Sequence, residues 1–151
     1  MTPTPPEQNP ISLTDKSLYI NREISLIQFN RRVLEEAANL NHPLLDRVKF
    51  LSIFANNIDE FMMIRVSGLL RQIRGGVLEQ PPDGMTPTEQ MQEILKTLLP
   101  LQAESSRCWS QDLKPALAKE GIYIHKCRDL SPETHQYLKS YFETQYLSPL
   151  H

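Results

Sequence analysis

An apolar repeat begins at Leu44 and runs through Val48, Leu51, Ala55, Ile58, Met62, Val66, Leu69 and Ile73 without an interior proline. Steps of three and four residues sustained over about 30 residues predict one long helix over 44–74. Gly75-Gly76 supplies its C-terminal stop, and Arg71 and Arg74 fall in the last turn, where cations meet unpaired carbonyls. Residues 50–64 are apolar on nearly every face, so a helix through them needs neighbours on more than one side.

Those neighbours are legible on either side of the repeat. Ser25 followed three residues later by Gln28 reads as a capping box, and Leu26, Phe29, Val33 and Ala37, with Asn30, Leu34 and Ala38 beside them, recur at helical spacing. A first helix is expected over 25–38, closed by Asn39-Leu40-Asn41-His42-Pro43. Pro81-Pro82-Asp83-Gly84 is a turn, and Thr86-Pro87-Thr88-Glu89 joins an N-cap, a proline at the first helical position and a glutamate at the third. A third helix therefore starts at 87. Met91, Ile94, Leu95, Leu98, Leu101, Trp109, Leu113 and Leu117 carry it to about 119, with Pro100 predicting either a kink near 96–100 or two separate helices.

Beyond Gly121 the character changes. Residues 122–126 (Ile-Tyr-Ile-His-Lys) are β-branched and aromatic and predict a strand, and Ser131-Pro132-Glu133 opens a last helix carrying Tyr137, Leu138, Tyr141 and Phe142, closed by Ser148-Pro149. The fold class expected is all-α, an antiparallel bundle of long helices with a short C-terminal βα fragment of a following α+β domain. The division expected is a disordered tail over 1–15, holding Pro3, Pro5, Pro6 and Pro10, a helical domain over 16–119, and the truncated start of a second domain over 120–151. A lone strand has no partner, so the chain reads as a piece of a longer protein.

Composition removes several function classes. A formal charge of −2 argues against a nucleic acid partner, and no apolar run is longer than Phe61-Met62-Met63-Ile64, far short of a transmembrane segment. Two cysteines, Cys108 and Cys127, form neither a disulfide scaffold nor a CxxC pair, which fits a cytoplasmic location. Peripheral association with the inner membrane is left open. The four histidines, 42, 125, 135 and 151, include no i, i+4 pair, so no metal ligands are assigned. Glycine-rich phosphate loops and a serine nucleophile elbow are absent, so no catalytic residue is assigned either. Residues 21–76 carry eight basic and six acidic side chains, net +2, against seven and ten, net −3, over 77–151. The arginines at 31, 32, 65, 71 and 74 make a solvated face or a rim that attracts a polyanion. Trp109, Tyr137 and Tyr141 read as core or interface anchors rather than a stacking platform.

The anomaly lies inside the long repeat. Asn56-Asn57-Ile58-Asp59-Glu60 places four polar residues in the most apolar stretch, where a buried amide without partners costs about 1–3 kcal/mol. One reading is a satisfied polar cluster that fixes helix packing, or a break between two helices; the other is a ligand-contacting patch, since an amide can read a base edge. Asp59 and Glu60 are adjacent and point about 100° apart on a helix, so they do not act as a carboxylate pair.

The stretches Tyr19-Ile20-Asn21-Arg22-Glu23-Ile24-Ser25-Leu26-Ile27-Gln28-Phe29-Asn30-Arg31-Arg32-Val33-Leu34-Glu35-Glu36-Ala37 and Arg47-Val48-Lys49-Phe50-Leu51-Ser52-Ile53-Phe54-Ala55-Asn56-Asn57-Ile58-Asp59-Glu60-Phe61 closely resemble the N-terminus of bacterial polyphosphate kinase. The resemblance continues more weakly through Arg65-Val66-Ser67-Gly68-Leu69 and Gly121-Ile122. It implies reversible transfer of the terminal phosphate of ATP to polyphosphate, with magnesium and a phosphohistidine supplied by later domains. It also implies that 120–151 opens a head domain and that the full-length protein is a homo-oligomer. The second asparagine of the family's Asn-Asn-(Leu/Ile)-Asp-Glu-Phe motif, a nucleotide contact near the adenine, falls on Asn57, with Asn56, Asp59, Glu60 and Arg65 as supporting residues. Ala55 stands where serine is common and Met62 where an aromatic is common. The expectation is a nucleotide-contacting fragment that binds ATP weakly, holds no cofactor tightly and is inactive alone. The alternative is a helical oligomerisation module with no ligand of its own.

Overall fold

Helix α1, Arg22–Ala38, starts three residues earlier than its apolar pattern. Its cap is Asn21, whose side chain accepts hydrogen bonds from the Glu23 and Ile24 backbone N–H groups at 3.0 and 3.1 Å. Ser25 is already inside the helix, so the expected capping box at Ser25 and Gln28 does not form. The Asn21 side-chain nitrogen also donates to Asp83 at 2.9 Å, which ties the start of α1 to the turn ahead of the third long helix. The computed structural model describes residues 12–77 and 80–147; the expected tail lies outside them as far as residue 11, and so does Ser148-Pro149.

Helix α2, Leu44–Glu60, follows a five-residue connection and lies antiparallel to α1. Two side-chain contacts set that pairing, Arg47 Nε donating to the Ala37 carbonyl at 2.9 Å and Asn57 Nδ2 donating to Asn30 Oδ1 at 2.8 Å. The partner numbers fall as those of α2 rise, as two antiparallel helices require. Beyond Glu60 the chain stays helical through a π-helical turn, Phe61–Val66, and helix α3, Ser67–Arg74.

The π turn corrects the register of the long repeat. The buried positions are Leu51, Phe54, Ile58, Phe61, Val66 and Leu69, whereas Ala55 is exposed and Met62 is 37% exposed. The step from Phe61 to Val66 is five residues, one more than an α-helical stripe allows, and the π turn accommodates that residue. The Ser67 N–H bonds back to the Met62 carbonyl, five residues earlier, and the Ser67 hydroxyl donates to the carbonyls of Met63 and Ile64. The residues of 44–74 are thus one helical run with a π insertion, unbroken at Asn56-Asn57.

Gly75-Gly76 ends the run, with Gly76 at φ 63° and the Val77 N–H returning to the Gln72 carbonyl at 3.0 Å. Helix α4, Pro87–Arg107, begins at the expected capping box, the Glu89 carboxylate accepting from the Thr86 N–H at 2.7 Å. It passes Pro100 without interruption, so the two-helix alternative does not hold. A second π-helical turn, Cys108–Leu113, continues from it. Ile27, Leu34, Ile94, Leu98, Leu101 and Leu113 meet Phe54, Ile58 and Phe61 in one core, with Trp109 half-buried against it.

The described residues divide into two compact units, one ending at Leu113 and one beginning at Lys114. The second holds α5, Lys114–Lys119, and α6, Pro132–Phe142, which starts at the expected Ser131 cap and leads into a π-helical turn, Glu143–Leu147. The strand expected over 122–126 is not present, and no strand occurs among the described residues. A strand is defined by a partner that exchanges backbone hydrogen bonds, and an isolated run of β-branched residues has none. Ile122, Tyr123 and Ile124 are 44, 65 and 47% exposed. Tyr137 and Tyr141 are exposed on α6, stacked on each other at 6.3 Å.

One buried charge joins three elements of the first unit. Arg47 is 5% exposed; besides the Ala37 carbonyl, its guanidinium donates to the half-exposed Asp112 of the second π turn. Removing the arginine leaves that carbonyl and carboxylate unpaired, whereas neutralising Asp112 leaves the bond to Ala37 in place. Arg47→Ala is therefore expected to lower stability by about 2 kcal/mol and Asp112→Asn by less than about 1 kcal/mol, measured by urea denaturation.

Candidate functional site

The polar cluster in α2 splits by direction. Ile58 is buried in the core, while Asn56, Asp59 and Glu60 are exposed. Asn57 is half-buried and points across to α1, where it meets Asn30, a residue only 1% exposed. Asn30 Nδ2 donates to the Leu26 carbonyl of its own helix at 3.0 Å, so its Oδ1 is the acceptor left for Asn57. This chain of two bonds sets the orientation of both amides. With Nδ2 directed to Asn30, Asn57 keeps Oδ1 and its second N–H available, and among the described residues neither has a partner.

Asn30 and Asn57 border a cavity of about 280 Å³ between α1 and the α2–π turn segment. Leu26, Phe29, Phe61 and Ile64 make its apolar walls, Asn30 and Asn57 its polar part, and Glu60 and Arg65 its charged part. Phe29 is 48% exposed and Ile64 57%, an unusual amount of apolar surface to leave open beside a polar pair. The π turn places Ile64 and Arg65 here, because its extra residue rotates them relative to an uninterrupted helix. Of the residues expected to support Asn57, Glu60 and Arg65 share its cavity; Asn56 and Asp59 do not line it. An apolar slot with one oriented amide and a flanking guanidinium is suited to a flat heteroaromatic ring joined to an anionic group.

Comparison with known proteins shows the family to which the chain belongs. Residues 19–125 match the model of the polyphosphate kinase N-terminal domain, which is most of the chain and all of the cavity. The chain belongs to the polyphosphate kinase family. It is 45% identical over 136 residues to the polyphosphate kinase of Thermosynechococcus vestitus, covering 90% of this chain and 19% of that protein. The polyphosphate kinase of Synechocystis is 42% identical over 138 residues, 91% of this chain and 19% of the relative. Among solved structures, the polyphosphate kinase of Porphyromonas gingivalis superposes with a TM-score of 0.60 at 30% identity, over 82% of this chain and 17% of that one. The chain thus spans about a fifth of the length of the curated polyphosphate kinases it matches.

Two residues of the cavity escape a reading of the sequence alone. Asn30 lies inside an apolar stripe, and a polar residue at a core position is the signal that would have singled it out. Phe29 reads as one more core position, yet half its surface is open because it lies at the edge of the α1–α2 seam. Removing the buried amide acts on both stability and geometry. Asn30→Ala is expected to cost about 1–2 kcal/mol in urea denaturation and to release the Asn57 amide, seen as faster hydrogen exchange of its side-chain protons.

Proposed function

We propose that this chain forms the base-contacting wall of the ATP site in a full-length polyphosphate kinase, which transfers the terminal phosphate of ATP reversibly to polyphosphate. The observation that carries the reading is the Asn57 amide, held by Asn30 and bordering an apolar cavity with Arg65 beside it. Oδ1 accepts a hydrogen from the exocyclic amine of adenine and the spare N–H donates to a ring nitrogen, the pairing an asparagine makes with adenine elsewhere. Phe29, Leu26 and Ile64 pack on the ring.

The chemistry of transfer belongs to the rest of the enzyme. Phosphoryl transfer depends on in-line positioning and neutralisation of phosphate charge. Magnesium, usually held by one or two carboxylates together with the substrate's phosphates, would assist that neutralisation. Among the described residues no three His, Cys, Asp or Glu side chains converge, and Asp59 and Glu60 diverge on one helix. The role we assign to this chain is to bind and orient the base. Among the described residues no helix is long and apolar enough to cross a membrane.

One wall of a site leaves most of the nucleotide in water, so the isolated 151-residue chain is expected to bind ATP weakly and to synthesise no polyphosphate. In the full-length kinase Asn57→Ala raises the KM for ATP about tenfold with the fold retained, since the lost contact is a base contact remote from the transferred phosphate. Polyphosphate synthesis by the isolated chain would contradict the division of labour. A normal KM accompanied by lost stability or assembly would contradict the nucleotide role and favour a purely structural amide.

A further inference from the structure

The cavity at Asn57 has a neighbour. A second cavity of about 380 Å³ shares Ile64 and Arg65 with it and adds Arg22, Glu23, Gln72 and Gln90. Glu23 is 9% exposed; its Oε1 accepts from Arg22 Nε and Nη2 at 3.1 and 2.8 Å, while Oε2 is buried and has no hydrogen-bond partner among the described residues. A buried carboxylate oxygen without a donor carries a desolvation cost that a hydrogen from a ligand would offset.

The surroundings decide what kind of donor fits. A phosphate oxygen would be repelled by Oε2, and a free cation is disfavoured by the guanidinium groups of Arg22 and Arg65, which line the same cavity. A neutral hydroxyl satisfies Oε2 without conflict, and a ligand that also carries phosphate gains from both arginines. Glu23 and Asn30 are seven residues apart on α1, two turns or about 10 Å along one face, and both are buried. That is the scale of the separation between the exocyclic amine of a purine nucleoside and its ribose hydroxyls. We propose that Glu23 accepts a hydrogen bond from the ribose hydroxyls of the ATP whose base lies against Asn57, so that the two cavities read base and sugar in turn. This rests on the ATP reading of Asn57, and acidic side chains fill the same role toward ribose in other nucleotide sites.

The test compares ATP with 2′,3′-dideoxy-ATP in the full-length kinase. The wild-type enzyme is expected to prefer ATP in kcat/KM by about tenfold or more, the scale of one hydrogen bond to a charged group. Glu23→Ala should bring the ratio close to one by weakening ATP alone, and Glu23→Gln, which keeps an acceptor oxygen, should retain part of the preference. If Glu23→Ala fails to fold, Glu23→Gln decides: a ratio reduced about threefold or more supports the assignment, and an unchanged ratio overturns it. Equal use of the two nucleotides by the wild type, or an unaltered preference in Glu23→Ala, also overturns it. Asn57→Ala should weaken both nucleotides equally. If it weakens neither, the base reading fails while the Glu23 ratio is still read independently.

Discussion

The hydrogen bond from Asn57 to Asn30 joins the two helices on which the first unit is built, and it does so in a seam otherwise closed by Ile27, Leu34, Phe54 and Ile58. Such a bond adds little net stability, but leaving either amide unpaired at that depth would cost more than the bond gains. The pairing therefore acts as a register lock, because sliding α2 along α1 by one turn would leave Asn30 Oδ1 unsatisfied. Arg47 repeats the logic at the other end of the hairpin through the Ala37 carbonyl. With the register locked, the π turn carries the extra residue between Phe61 and Val66, and the cavity forms where that turn faces α1.

The two readings of the polar cluster, packing device and ligand contact, turn out to be compatible in geometry. Asn57 has three hydrogen-bonding positions that matter here, and one of them is spent on Asn30. That bond fixes the direction of the others, which is the preorganisation a binding amide needs if it is not to lose side-chain entropy on each binding event. A surface asparagine with the same chemistry and no partner would present its amide in either of two flipped orientations.

Much of the architecture was legible in the sequence. The Thr86 to Glu89 capping box, the Gly75-Gly76 stop and the Ser131 cap depend on bonds within a few residues, so local spacing determines them. Local pattern and structure part where distant contacts decide. Asn21 outcompetes Ser25 as the cap of α1 and also reaches Asp83, sixty-two positions along the chain. Regular steps of three and four carry the apolar stripe to Met62, and only the π insertion moves burial to Phe61 and Val66. The strand expected at 122–126 had the right residue types and no partner. At the site, the α2 motif made Asn57 visible, but nothing local joined it to Asn30, twenty-seven positions earlier, or suggested the cavity they share.

The role proposed for Asn57, oriented by Asn30, is to face the base of ATP. The most direct measurement is a crystal structure of the full-length polyphosphate kinase with a non-hydrolysable ATP analogue. Adenine is expected between Phe29 and Ile64, its exocyclic amine within hydrogen-bonding distance of Asn57 Oδ1, and the Asn57 to Asn30 bond retained near 2.8 Å. An analogue bound elsewhere, with the cavity closed by protein side chains against Asn57, would contradict it.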